Sequence, residues 1–205
     1  MRFGEPPNVV SWISGPLARS FYHRPTIEVA RDLLGKILVH GPTGGLTAGR
    51  IVETEAYLGT GDAAAHAARG LTRRTQVIFG PPGHAYVYLI YGMYECLNIV
   101  AEAEGIAGCV LIRALEPLAG VEKMRKRRSA ARGVEDLANG PGKLTLAMGI
   151  TRRHNGADLT CGPLMVYAPD THEPFAIAVS PRIGISQSRE LPLRFSIAQN
   201  RFVSR

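Results

Sequence analysis

The spacing of apolar residues changes several times along the chain, and each change marks an element. Ile27, Ala30, Leu33 and Leu34 recur at helical spacing, with Thr26 as a candidate cap and Gly35 as a stop. KILVH at 36–40 then reads as a strand, GPTGG as a turn-rich connection, and 46–58 as a second strand. A polar, Ala- and Gly-rich stretch follows from Gly59 to Thr75, read as a long loop with a short helical piece. Residues 85–92 and 94–101 predict two strands joined at Tyr91-Gly92-Met93, and 109–117 a further strand ended by Pro117. The pattern turns helical from Leu118 to about Arg132, and the glycine-rich turn at 139–144 leads into an apolar helix, LTLAMGI. Later strands are predicted at 163–168 and 182–188, with a Pro-interrupted tail after them.

Strands and helices mix without regular βαβ alternation, which predicts an α+β fold with a mostly antiparallel sheet. No repeat or low-complexity linker divides the sequence. The expected organisation is an N-terminal arm over 1–16, rich in Pro and Gly, and one domain over 17–205. That length can bury a core without disulfide or metal staples.

Charge sharpens this picture. The chain carries 24 Lys+Arg against 17 Asp+Glu, a formal charge of +7, and so suits either a polyanionic partner or a merely basic enzyme. Cys96, Cys109 and Cys161 show no C-x-x-C spacing, so they fit neither a disulfide framework nor a zinc site. No apolar run reaches the roughly 18–20 residues of a membrane span. MRFGEPPNVVSW lacks a long apolar h-region and a cleavage site, so the expectation is a cytoplasmic protein without a signal peptide.

RIVETEAYLG is the most informative segment. On a strand, Glu53, Glu55 and Tyr57 share one face while Val52, Thr54 and Ala56 take the other. The two carboxylates would stand about 6.5–7 Å apart along the strand. They mark either a functional site or an exposed, solvated strand face. Tyr86 and Tyr88 likewise share a face. Tyr91 points the other way beside Gly92, as a candidate wedge between base pairs or as an ordinary cross-strand tyrosine. His66, in the long loop, has no second histidine at metal-ligand spacing, so a metal role is not expected. Arg113 interrupts the apolar strand VLIRAL and needs a carboxylate partner, with Glu53 or Glu55 the natural candidates. GPGKL resembles a phosphate-gripping turn built on backbone N–H groups and Lys143. The basic residues of 123–132 fit a DNA-backbone contact or a solvated helix face.

Taken together, the segments resemble the alkyladenine DNA glycosylase family, the mammalian-type 3-methyladenine DNA glycosylases. The resemblance runs in collinear order from LARSFYHRPTIEVARDLLGK through GRIVETEAYLG, AAH, AYVYLIYGMYECLNI and CVLIRALEP to NGPGKL, and resumes in PLRF. It implies one mixed domain around a curved antiparallel sheet. It also implies roles for individual residues: Glu55 as general base toward water at the sugar C1′, and Arg113 as the arginine holding Glu55 and that water. Tyr57, His66 and Tyr88 match the residues that sandwich a flipped base, and Asn98 an asparagine on the pocket floor. Tyr91 matches the tyrosine inserted where the base has left. Departures are GTGDAAA between Gly59 and His66, with a different acidic content, and GPGK where some relatives have Ser before the Lys.

The expected activity is excision of an alkylated or deaminated purine from double-stranded DNA by a monomer that needs no cofactor. The chemistry is coherent. A base must leave the duplex to be reached, aromatic faces bind it, and a carboxylate stabilises oxocarbenium character while taking a proton from water. No lysine lies in the segments carrying the site, which favours direct hydrolysis over a Schiff base. Two rivals are a catalytically silent nucleic-acid-binding module of the same fold and a carboxylate-dependent hydrolase of free nucleosides or sugars.

Overall fold

The computed structural model describes residues 15–41, 45–170 and 173–204. The predicted arm therefore lies almost wholly outside the described residues, as does most of the GPTGG connection. Two short helices, α1 (Arg19–Tyr22) and α2 (Thr26–Asp32), lead into β1 (Ile37–His40) and the long β2 (Thr47–Tyr57). A hairpin of β3 (Ala85–Ile90) and β4 (Tyr94–Val100) is followed by β5 (Cys109–Ala119), α3 (Val121–Arg127) and α4 (Pro141–Met148). β6 (Leu164–Tyr167), β7 (Ile177–Ser180) and β8 (Arg194–Ile197) complete the described elements. The α+β expectation holds.

The strands form one antiparallel, curled sheet of order β3-β4-β5-β2-β1-β6, with β8 pairing both β2 and β7. β2 is its spine. Along one edge it pairs β5 throughout, while the other edge is shared between β1, opposite Thr47–Arg50, and β8, opposite Glu53–Glu55. Val52, Ala56, Val87, Leu97, Val110 and Ile112 join Val29 and Ala30 of α2, and Leu33 just after it, in the main core. A smaller cluster gathers Ala67, Ile78, Tyr86 and Cys109, with Tyr57 and Tyr88 packed against it. The period-two reading of β2 and β3 is thus observed: small and branched residues face the core, Glu and Tyr the site.

Several boundaries moved, each for a physical reason. Thr26 is the first helical residue, not the cap. Its N–H and hydroxyl both donate to Glu102 Oε1, at 2.6 and 2.7 Å, so a distant carboxylate satisfies the helix start. Pro117 does not end β5, because it sits opposite Gly49 at a register irregularity where a missing N–H is tolerated. The helix expected over 118–132 is consequently shortened to Val121–Arg127. α4 starts at Pro141, in the first turn where proline is tolerated, and stops at the left-handed Gly149.

The strand predicted at 182–188 does not form. The tail thought to be irregular supplies β8, paired to β7 just before the lost strand. Residues 182–188 instead use their polar groups on the site. The Arg182 side chain is ion-paired, and the Ile183 N–H is given to Glu55. Among the described residues no helix is long and apolar enough to cross a membrane.

Candidate active site

The centre of the site is a double irregularity between β2 and β5. Ile51 pairs Leu115, Glu53 pairs Ala114 and Thr54 pairs Ile112, so Val52 and Arg113 each stand without an opposite residue. Such bulges bend strands and re-aim side chains. Here the guanidinium of Arg113 meets both carboxylates, its Nε 3.2 Å from Glu53 Oε1 and its Nη1 3.2 Å from Glu55 Oε1. Both glutamates are fully buried, so the solvated-face reading is excluded. The partner question for Arg113 resolves to both candidates.

The two carboxylates differ in surroundings. Glu53 is saturated by Arg113, by Arg194 Nε at 2.5 Å, and by the N–H and hydroxyl of Ser204 at 2.7 and 2.8 Å. Glu55 accepts from the Ile183 N–H at 2.8 Å and the Tyr57 hydroxyl at 2.9 Å besides its ion pair. Burial raises the Glu55 pKa above the ordinary 4.5, against the opposing pull of Arg113, the Ile183 N–H and Tyr57. Glu55 therefore holds its proton to a higher pH than an ordinary carboxyl.

Aromatic rings wall a cavity of about 850 Å³ beside this cluster, which Tyr57, His66, Tyr86, Tyr88, Asn98 and Arg113 help to line. His66 packs edge-on to Tyr88 at 4.5 Å between centroids, and Tyr86 lies 5.4 Å from Tyr88. His66 Nδ1 is 3.0 Å from the Tyr86 hydroxyl, and Arg74 Nη2 is 3.3 Å from His66 Nε2. Arginine has only donors, so Nε2 must accept and Nδ1–H must donate. Burial, helped by Arg74, pushes the His66 pKa down to about 4, which leaves the imidazole neutral near pH 7. Asn98 is buried on β4 with its amide donating to the Tyr86 carbonyl at 3.3 Å. Cys96 and Cys109 also line the cavity, and burial pushes their thiols up to about 11 and about 12, so both stay protonated.

Tyr91 stands at the rim, at the tip of the β3–β4 hairpin. It is 76% exposed and adopts φ +53°, followed by Gly92 at φ +71°. Two successive positive φ values match the right-handed twist of a hairpin, and the Met93 N–H closes the turn onto the Ile90 carbonyl at 3.2 Å. Tyrosine seldom accepts that backbone, so an exposed ring held there is not a packing residue. Lys143 lies across the cavity in the first turn of α4, its ammonium on Asp136 at 2.6 Å and Asn139 at 2.8 Å.

With this arrangement in place, comparison with known proteins decides the family. A family model described as methylpurine-DNA glycosylase matches residues 20–201. The chain belongs to the methylpurine-DNA glycosylase family. A protein of Methanocella arvoryzae is 54% identical over 178 residues, covering 87% of this chain and 88% of its own. One from Alkaliphilus oremlandii is 49% identical, covering 92% and 98%. One from Methanoculleus marisnigri is 51% identical, again covering 92% and 98%. All three are provisionally named 3-methyladenine DNA glycosylases. The resemblance read from the sequence is therefore correct at the level of family.

Of the residues singled out in the sequence, Tyr57, His66, Tyr88, Tyr91, Asn98, Arg113 and Lys143 line the cavity, whereas Glu53 and Glu55 do not. Glu55 sits directly behind, joined through Arg113, Tyr57 and Ile183. Sequence reasoning missed Arg74, Arg194 and Ser204. Arg74 sits in a loop with no periodic signal, Arg194 opens a strand in the tail expected to be irregular, and Ser204 lies about 150 residues from the glutamate it binds. Tyr86 was legible through its i, i+2 relation to Tyr88.

Glu55 leads to a pH prediction. Its folded pKa lies above the unfolded value, so its contribution to stability is greatest below the ordinary carboxylate pKa. That contribution falls as pH rises toward the folded value and is flat beyond it. Denaturant unfolding of wild type and Glu55→Gln between about pH 4 and neutrality should therefore show wild type losing stability relative to the variant as pH rises. A constant difference would mean Glu55 does not titrate abnormally.

Proposed function

We propose that the chain excises damaged purines from duplex DNA by direct hydrolysis of the N-glycosidic bond. The observation that carries this reading is a buried, arginine-paired carboxylate behind an aromatic-walled cavity, with an exposed tyrosine held in left-handed backbone at its rim. Tyr91 enters the stack as the base leaves. Tyr57, His66 and Tyr88 receive the base, each stacked face being worth roughly 1–3 kcal/mol. Asn98 closes the pocket floor. Glu55 takes a proton from a water whose oxygen attacks C1′; the C1′–N bond breaks and its electron pair departs on the purine. Lys143 and the turn before α4 meet the phosphate backbone, a role that requires its ammonium to turn from Asp136.

The same geometry favours cationic alkylated purines. Aromatic faces attract a cationic base, and such a base leaves without an added proton. His66, neutral and with Nε2 accepting from Arg74, offers no proton to a neutral leaving group. This agrees with the substrate in the relatives' names.

The deciding experiment is single-turnover reaction of the protein with duplexes carrying one 7-methylguanine or one hypoxanthine. Expected products are free base and a strand that breaks only after alkali, with faster release of 7-methylguanine. Tight duplex binding without release would replace this reading by the silent binding module. Strand scission without alkali would remove the hydrolytic step.

The rim tyrosine gives a separate prediction. Tyr91→Gly relieves an unfavourable φ while loosening the unfolded chain, so stability should stay within about 1 kcal/mol of wild type. Base release should nevertheless fall roughly 10–100-fold, the worth of one lost stacking contact. Unchanged release in a folded variant would exclude the wedge.

A further inference from the structure

We propose that Arg182 is a positioning residue for Glu55 and Tyr57, one buried guanidinium that fastens three separate segments of the pocket together. This inference rests on the base-excision reading above.

Three contacts support it. The Arg182 guanidinium is fully buried and grips Asp62 with both amino groups, Nη1 to Oδ2 at 2.6 Å and Nη2 to Oδ1 at 2.7 Å. Nη1 also donates to the Ala56 carbonyl at 2.9 Å, on the β2 backbone between Glu55 and Tyr57. The guanidinium carbon lies 4.6 Å from the centroid of the Tyr57 ring, a cation–π contact on the ring proposed to stack the base.

Each contact governs a different wall. Asp62 accepts from the Leu58 and Ala64 N–H groups, both at 3.1 Å, and so shapes the loop that carries His66. Burial works against its charge, yet Arg182 and those two N–H groups hold the Asp62 carboxyl below its ordinary value. Ile183, the next residue after Arg182, gives Glu55 its backbone donor. Residues 182–188 lack a strand ladder, so the ion pair fixes their place against β2. A displaced Arg182 therefore displaces a Glu55 donor, the Tyr57 ring and the His66 loop at once.

Stability alone is a poor account of this pair. A fully buried ion pair gains little over well-packed apolar residues, because desolvation offsets the attraction. Here the Arg182 Nε also has no hydrogen-bond partner among the described residues. Rigid bidentate geometry is what the pair supplies, and lysine cannot reproduce it.

Glu55 reports on the arrangement through its ionisation. The groups facing it are Arg113 from β5, Cys96 from β4, Glu53 and Tyr57 from its own strand, and Arg182 with the Ile183 N–H from the loop. Of these, substitution at Arg182 or Asp62 disturbs chiefly the loop donor and the Tyr57 ring.

The test measures single-turnover release of 7-methylguanine at saturating enzyme, duplex Kd, the pH–rate profile and unfolding for wild type, Arg182→Lys, Arg182→Gln and Asp62→Asn. The expected result is a roughly 10–100-fold fall in the release rate with Kd within about threefold of wild type, the pattern of a misplaced catalytic group. The acid limb should move to higher pH, because Glu55 loses a donor that favours its ionised form. Arg182→Lys should recover stability over Arg182→Gln without recovering the rate. Variants whose rate and acid limb per folded molecule match wild type would overturn the proposal, whatever their melting temperature. If both Arg182 variants fail to fold, Asp62→Asn, nearly isosteric and still an acceptor, decides by the same criterion. A wild type that releases no base would overturn the excision reading and this inference with it. Normal wild-type release with normal variants would overturn the inference alone.

Discussion

Glu55→Gln is expected to lower the rate of base release by about 10²–10⁴-fold, the usual worth of a positioned general base. The substitution is nearly isosteric in a fully buried site, so the surrounding contacts can persist. The amide oxygen can still accept from the Ile183 N–H, and the amide NH₂ can donate to the Tyr57 hydroxyl that formerly donated to Oε2. Arg113 keeps Glu53. One negative charge facing a polyanion is removed, so duplex affinity should be equal or higher. Single-turnover release alongside equilibrium binding separates the two effects. Full release in a folded Gln variant would remove Glu55 from the mechanism, leaving the buried cluster a structural device. Equal loss of binding and release would show that the variant perturbs the pocket as a whole.

Arg113→Ala carries the largest expected cost in stability, about 3–5 kcal/mol, because it leaves buried carboxylates uncompensated. The loss is unequal between the two. Glu53 retains Arg194 and Ser204, whereas among the described residues Glu55 retains one backbone N–H and one phenol. Glu55 should respond by holding its proton to higher pH, so release per folded molecule should fall further than duplex affinity, with the acid limb of the rate profile displaced upward. Adding Glu53→Gln to Arg113→Ala should recover part of the stability, since one of the two like charges is then gone, and none of the release. Denaturant unfolding across the double-mutant cycle reads the first effect, and single-turnover kinetics the second. A cost below about 1 kcal/mol for Arg113→Ala would mean that the ion pairs contribute no more than surface ones.

Both predictions depend on a feature that no periodicity announces. Alternation along RIVETEAYLG placed Glu53, Glu55 and Tyr57 on one face, and they are there. It could not say that the face is dry, because two glutamates on a strand are equally compatible with solvent. Burial came from what covers them: β8 on one edge, the Ile183 loop above, and Ser204 behind. Nor could it foresee that β2 and β5 slip register at Val52 and Arg113, which lets one guanidinium reach both carboxylates.

The hairpin shows the opposite balance. Tyr91-Gly92 between two aromatic-rich strands is a local signal, and the turn formed where it was expected, with Tyr91 exposed at its tip. The segment 182–188 shows where local signals mislead. Its β-branched residues fit a strand, yet its backbone and side chains are engaged elsewhere, the Ile183 N–H on Glu55 and the Arg182 guanidinium on Asp62. β8 already occupies the β2 edge beside Glu53–Glu55, and Asp62 lies about 120 residues from Arg182.

By itself the sequence determined the α+β composition, the hairpin with Tyr91 at its turn, the face shared by Glu55 and Tyr57, and the family. These follow from backbone propensity, period-two alternation and collinear strings, all of them local in the chain. Only the tertiary structure decided which carboxylate is saturated with donors and which has its pKa raised by burial. It alone also set the tautomer of His66 and the place of Arg182 behind the pocket. Those outcomes depend on desolvation and on the distances between charges from remote segments, and both quantities come into existence only when the chain has packed.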